Sequence, residues 1–188
     1  MKGKDKIIEK YKRFVYGNKE QNCIKLLKKY PFLLETTFFC EKNTPFLLAC
    51  QRNHRLVIDY LIKKGVNVHL LNYFQQNAVS YAVLTEDVEL LKKIYALGID
   101  LDQKDVYGYT PFLEACIYDY SDIIKFLIEK DVDVNAQNET TSFVSLLLND
   151  AFELDFNFIC KHLDKFNEKN QKILKGLQLK NLVTKGSI

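Results

Sequence analysis

The tripeptide Thr-Pro-Phe occurs twice, at Thr44-Pro45-Phe46 and at Thr110-Pro111-Phe112, 66 residues apart. Halfway between, at a spacing of 33, stands Asn77-Ala78-Val79. The same period aligns Ala49, Ala82 and Ala115, then Val57, Leu90 and Ile123, then Leu61, Ile94 and Leu127. Gly65, Gly98 and Asp131 form a further column, as do Asn67, Asp100 and Asp133. A gapless repeat of this length limits the chain to stacked supersecondary units, each too small to cover its own apolar face.

One unit carries two apolar patterns. Phe112, Ala115 and Cys116 lie at i, i+3, i+4, one face of a helix. After Tyr118-Asp119-Tyr120-Ser121, the run Ile123, Ile124, Phe126, Leu127, Ile128 predicts a second, more apolar helix. Pro111 suits a first helical turn, where a missing N–H loses no bond. Ser121 is placed to cap the second helix. Gly65 and Gly98 suit a left-handed helix end. Asp131 in their column implies either strain or a different turn.

The stretch "DVYGYTPFLEACIYDYSDIIKFLIEKDVDVNAQ" resembles an ankyrin repeat, with its Gly, Thr-Pro, paired helices and polar loop in order. The unit from Phe39 keeps "TPFLLAC" and "LVIDYLIKKGVNV"; the unit from Asn72 keeps "VELLKKIYALGIDL". The second departs from the pattern at Gln75, in the turn-glycine place, and at Asn77-Ala78. Leu47, Ser80 and Leu113 stand where the family has histidine, which implies helices held by packing more than by the family's hydrogen bonds. The resemblance implies an all-α solenoid of stacked helix-turn-helix units with short β-hairpin-like loops. Its units are 39–71, 72–104 and 105–137, with an N-terminal capping repeat at 1–38. Residues 138–188 read as a degenerate repeat, a C-terminal cap and a tail, all in one domain. The second helix of that last unit is expected around Leu154, Phe156, Ile159, Cys160 and Leu163.

The chain has 188 residues and 47% apolar composition, ordinary for a globular protein. No apolar run approaches the ~20 residues of a membrane span. Five cysteines at wide spacings, without a C-x-x-C pair, point to free thiols in a reducing, cytoplasmic compartment. Specialised export into another cell would leave the same composition. Residues 1–30 hold ten Lys/Arg against three Asp/Glu, and residues 161–188 hold seven against two. With a net charge of +3 overall, the middle then carries −9.

Catalytic signatures are weak. Cys50 and His54 are one helical turn apart, but a nucleophile also needs an orienting group and a cleft. Cys50 shares its column with Cys116, so burial is the expected role. No phosphate loop, dinucleotide fingerprint or H-E-x-x-H occurs. Asp100, Asp102 and Asp105 lack calcium-loop spacing and fall at the polar hairpins. No metal and no cofactor is expected, and no small-molecule substrate. The basic N-terminal helix (Lys2, Lys4, Lys6, Lys10, Lys12, Arg13) interleaves with Asp5 and Glu9, which suits a capping helix better than nucleic acid.

The resemblance implies a concave groove lined by hairpin tips and inner helices. Carried over by position, the third unit supplies Val106, Tyr107, Tyr109, Ile117 and Tyr118. The second supplies Tyr73, Phe74, Gln76, Leu84 and Thr85; the first Cys40, Glu41, Asn43, Gln51 and Arg52. The fourth supplies Glu139, Thr140, Ser142, Asp150 and Ala151. This gives an apolar centre with a polar rim, the anatomy of a protein interface. The expected anchors are Tyr73, Phe74, Tyr107, Tyr109 and Tyr118, with Glu41, Arg52, Glu114, Asp119 and Glu139 tuning orientation. Packing between neighbouring hairpins is the competing role for these rings. The function expected is non-enzymatic binding of a protein partner by a monomer, through occlusion, recruitment or bridging. An inhibitor or immunity-type protein with a basic target is one such form. Self-association through the same aromatic patch and nucleic-acid adaptation through the basic ends are the alternatives.

Overall fold

The computed structural model describes residues 2–148 and 156–184. Helix α1 (Lys2–Tyr16) and α2 (Glu20–Lys29) open the chain, and a 3-10 turn at Pro31–Glu35 ends them. Three helix pairs follow: α3 (Pro45–Gln51) with α4 (Arg55–Lys63), α5 (Ala78–Leu84) with α6 (Val88–Tyr95), and α7 (Pro111–Ile117) with α8 (Ser121–Glu129). Then come α9 (Phe143–Leu147), α10 (Phe156–Lys161), a 3-10 turn at Leu163–Lys165 and α11 (Glu168–Thr184). Among the described residues the extended pairing is limited to isolated bridges, Phe38 with Asn43 and Gln137 with Ser142. The all-α solenoid is therefore the fold.

Two rows of helices run along the stack. The inner row packs α3 on α5, α5 on α7 and α7 on α9; in the outer row α2 meets α4, and α6 meets α8. The alanine column lies at the crowded seam: Ala49, Ala82 and Ala115 are all buried. Leu47, Leu48, Val79, Val83, Phe112 and Leu113 complete the inner core, and Ile58, Leu91, Ile124 and Ile128 the outer one.

The inner helices start alike despite different residues. Thr44 Oγ1 accepts from the Leu47 amide and Thr110 Oγ1 from the Leu113 amide, each at 3.2 Å. Asn77 Oδ1 accepts from Val79 and Ser80. Ser142 caps α9 with a reciprocal bond from Ser145, so the fourth unit begins as the others do. The outer helices solve the same problem in three ways. Asp87 caps α6 through the Leu90 amide, while α4 borrows the Glu20 carboxylate, which accepts from Leu56 and Val57. Helix α8 begins after Tyr120 with no side-chain cap, so Ser121 does not serve as one; it is already the first helical residue.

Three left-handed positions recur with the period. At the hairpin tip they are Lys42, Gln75 and Gly108, with φ of 55°, 60° and 78°. Between the helices they are Asn53, Glu86 and Asp119; after the outer helix they are Gly65, Gly98 and Asp131. Gln75 and Asp131 thus take the glycine conformation without being glycine, and the turn does not differ. At Asp131, φ is 59°, and Lys165 holds the turn by donating to the Asp131 carboxylate and the Ile128 carbonyl. That ion pair keeps the Asp131 carboxyl below its ordinary range. The column Asn67, Asp100, Asp133 closes each loop: every side-chain oxygen accepts from the amide two residues on, at 2.9–3.0 Å.

The missing family histidine has a local replacement. Tyr81, one residue past Ser80, donates its hydroxyl to Asn43 Oδ1 at 2.8 Å and accepts from Asn72 Nδ2 at 3.0 Å. All three residues are buried, so the network ties two neighbouring hairpins from within. Packing alone is therefore not what holds this junction. Tyr81→Phe leaves two buried amides short of a partner and is expected to lower unfolding free energy by about 1–3 kcal/mol in urea titration. Gly98→Ala meets no atom within 4 Å and costs only the left-handed backbone, about 1 kcal/mol in the same assay.

Candidate functional site

Each hairpin tip is fixed by its first residue and by its neighbour. Asn72 Oδ1 accepts from the Gln76 amide, and Asp105 Oδ1 from the amides of Tyr107 and Tyr109, both at 2.9 Å. Between tips, the Tyr73 amide donates to the Glu41 carbonyl (2.7 Å) and the Val106 amide to the Phe74 carbonyl (3.0 Å). Main-chain bonds thus step from the first hairpin to the third, so the aromatic side chains hang from a fixed backbone.

The structure brings Glu41, Gln51, Phe74, Gln76, Leu84 and Tyr107 together around one open cavity of about 290 Å³, with Tyr81 and Asp105 completing its wall. The contributions come from three units. Tyr73, Tyr107 and Tyr118 are 63%, 67% and 54% exposed; Val106, Ile117 and Leu84 are exposed beside them. Phe74 is half-buried, edge-on to Tyr73, whose ring lies under Lys42 Nζ at 5.7 Å. Arg52 and Glu139 are exposed, Glu41 half-buried.

Three of the rings part company in their surroundings. Tyr118 stacks on Tyr120 with centroids 5.6 Å apart. Tyr107 stands clear at its tip. Tyr109 turns to the fourth hairpin, where the polar side chains of Asn138, Thr141 and Thr140 favour its phenolate and hold its pKa below the ordinary phenol value. Asp119 is the left-handed residue of its inter-helix turn, so its backbone has a structural task as well. Thr85 bonds back to the carbonyl of Tyr81. Asp150, Ala151 and Leu154 lie outside the described residues.

A second aromatic group, which positional transfer missed, continues the face toward the N-terminus. Tyr16 meets Phe39 edge-on at 5.5 Å; Arg52 lies over Tyr16 at 5.2 Å and Lys12 over Phe39 at 4.7 Å. Its signal was the polar and aromatic end of α1, hidden because the capping unit does not follow the 33-residue register.

The Cys50–His54 pair does not form a dyad. Burial pushes the Cys50 thiol far up, and its neighbours Arg55 and Lys93 only partly offset this. His54 is buried and its Nε2 faces Asn18 Oδ1 at 3.2 Å; burial lowers its pKa. Asp100, Asp102 and Asp105 spend carboxylate oxygens on backbone amides of Asp102, Asp133, and Tyr107 with Tyr109. Among the described residues no group of three or more His, Cys, Asp or Glu is placed to hold a metal, and no helix is long and apolar enough to cross a membrane.

The family model for ankyrin repeats (three copies) matches residues 14–105 and 67–138. The chain belongs to the ankyrin-repeat family. Ankyrin repeats are protein–protein interaction modules, and this one is similar over 76 residues to mouse protein phosphatase 1 regulatory subunit 27, at 34% identity. That alignment covers 40% of this chain and 49% of the mouse protein. A putative ankyrin repeat protein of Rickettsia bellii is 31% identical over 110 residues, 55% of this chain and 33% of its own length. Ankyrin repeat protein nuc-2 of Neurospora crassa is 30% identical over 100 residues, which is 52% of this chain and 9% of that protein. The chain thus spans half or less of each of these relatives.

One acid within the ankyrin stack stands apart. Glu114 is half-buried, and its Oε2 is buried with no hydrogen-bond partner. Burial first, and the Asp105 carboxylate second, push its carboxyl from 4.5 up to about 8. A carboxyl whose folded pKa is raised favours the folded state fully only below its unfolded value. That contribution is lost as pH rises from about 4.5 to about 8. Glu114→Gln is therefore expected to leave stability unchanged at pH 4 and to raise it at pH 8.5 by about 1–3 kcal/mol, read by urea unfolding at both pH values.

Proposed function

We propose that this ankyrin stack binds a partner protein through the face made by its hairpin tips and inner helices, without catalysing a reaction. The observation that carries this reading is the set of exposed rings, Tyr73, Tyr107 and Tyr118, on hairpins joined by main-chain bonds. Exposed aromatics gain little from water, and a preordered backbone loses little entropy when a partner covers them. Val106, Ile117, Leu84 and Phe74 extend the apolar centre; Glu41, Arg52 and Glu139 stand at its edge. The reading includes three units at 39–71, 72–104 and 105–137 between capping units, and a reducing compartment for the free cysteines. Its action is occlusion or recruitment, as an inhibitor or adaptor. The name of the phosphatase regulatory subunit is compatible with such a role.

The test is affinity capture from lysate of the source cell, with each captured protein identified by mass spectrometry. Wild type is compared with Tyr107→Ala/Tyr118→Ala, whose rings are exposed and whose loss leaves the fold intact. Loss of one or more partners from the variant is expected, and an unchanged partner set overturns the site. A partner bound with the help of the acidic middle should bind more weakly at high salt. If the rings instead serve self-association, sedimentation at high concentration would show a dimer that the double variant abolishes.

A further inference from the structure

The first hairpin departs from the other two at its opening residue. In that column Asn72 and Asp105 close their tips by accepting from backbone amides. Phe39 stands in their place and has no side-chain oxygen to offer. The first tip closes through the main chain instead: Phe38 and Asn43 exchange amide-to-carbonyl bonds of 2.8 and 3.1 Å. Phe39 takes a left-handed φ of 61°, uncommon for a bulky side chain, and such strain persists where the surrounding structure over-determines it. Its exposed ring meets the exposed ring of Tyr16 edge-on. A tip-closing side chain has thus been exchanged for one half of an exposed aromatic pair.

The pair borders an open hollow of about 950 Å³ along α1, lined also by Lys6, Lys10, Lys12 and Arg13. Arg52 lies over the Tyr16 ring and Lys12 over the Phe39 ring. Lys12 is paired with Glu9 at 2.7 Å; among the described residues Lys6, Lys10, Arg13 and Arg52 form no ion pair. Asp5 and Glu9 are the acids of the lining, so the hollow keeps a surplus of positive charge. Resting on the proposed binding face, we propose that this hollow receives an acidic linear segment of the partner protein. Its carboxylates meet Lys6, Arg13 and Arg52, and an aromatic or aliphatic side chain between them covers the Tyr16 and Phe39 rings. The hollow adjoins that face, since the Tyr73 amide donates to the Glu41 carbonyl in the tip that Phe39 opens.

Charge complementarity decides the occupant. An exposed guanidinium without a counter-ion can grip a carboxylate through two parallel N–H bonds, and Arg13 and Arg52 are both of this kind. Arg52 is already held over a ring, so less side-chain entropy is lost when it captures an anion. A nucleic acid fits less well. Asp5 and Glu9 recur one helical turn apart among the lysines and repel a uniform row of phosphates, whereas carboxylates in a peptide can be spaced around them. The two rings also meet at 80°, each with a cation over it, which leaves no pair of parallel faces for successive bases. Exposed ion pairs are individually weak, so the ring contact supplies most of the affinity, and the cations supply orientation and on-rate.

The probe is a blocked peptide with glutamates on both sides of one phenylalanine, compared with its glutamine counterpart. Each is titrated into the full chain while the Tyr16 and Phe39 ring signals are followed by NMR. The acidic peptide is expected to shift both rings, to bind roughly tenfold tighter than the glutamine peptide, and to weaken at high salt. Arg13→Gln/Arg52→Gln alters two exposed positions, leaves urea unfolding unchanged, and is expected to remove most of that difference. Unmoved rings, or equal binding of the two peptides, overturns the acidic-segment site. So does oligothymidylate that shifts the rings where the acidic peptide does not. The capture experiment separates this site from the face it extends. A partner lost from both Arg13→Gln/Arg52→Gln and Tyr107→Ala/Tyr118→Ala is the expected result. A partner lost from the tyrosine variant but kept by the arginine variant removes the acidic-segment site and leaves the face; the reverse keeps the site and removes the tyrosine centre. A partner kept by both variants removes both.

Discussion

Helices α3, α5 and α7 are seven residues long, and isolated helices below about 12–15 residues are marginal in water. Each exists because the next unit covers it. The buried alanine column keeps the backbones close, and the caps at Thr44, Asn77, Thr110 and Ser142 satisfy the first amides of each turn. From that mutual burial comes the fixed interval between units. The hairpin tips inherit it, since main-chain bonds join them in steps. A face whose side chains diverge therefore rests on a backbone that does not.

One column shows how the stack tolerates chemistry. Leu48 is apolar and fully buried. Tyr81 adds a hydroxyl and finds two amides to satisfy it. Glu114 adds a carboxyl, which burial first and the Asp105 carboxylate second push up to about 8. The same place in three successive units goes from core, to internal tie, to an acid held out of its ordinary range. Such a cost persists only when the surrounding units over-determine the position, and departures of this kind cluster where proteins meet their ligands.

Much of the fold was legible because the period is carried by types of residue with one physical job. Thr-Pro marks a capped helix start; Gly65 and Gly98 mark left-handed ends. Where identity drifted, geometry did not: Asn77 caps as threonine does, and Gln75 and Asp131 take up the glycine conformation. Ser121 was misleading because a capping hydroxyl at a plausible spacing says nothing about which residue enters the helix first. In the site, exposure followed repeat position for Tyr73, Tyr107 and Tyr118. Direction did not: only coordinates show that Tyr109 turns to Asn138, Thr140 and Thr141. The Tyr16 group was hidden because the capping unit lacks the period. The orphaned oxygen of Glu114 needed three dimensions.

The claim that the hairpin and inner-helix face is the one that meets a protein is most directly tested by site-specific photo-cross-linking. A benzophenone amino acid replaces Tyr107 on that face or Tyr95 on the outer row, where the ring is also exposed. The account predicts a covalent adduct with one partner from position 107, lost on adding Tyr118→Ala, and none from position 95. Adducts from position 95 with position 107 silent would contradict it.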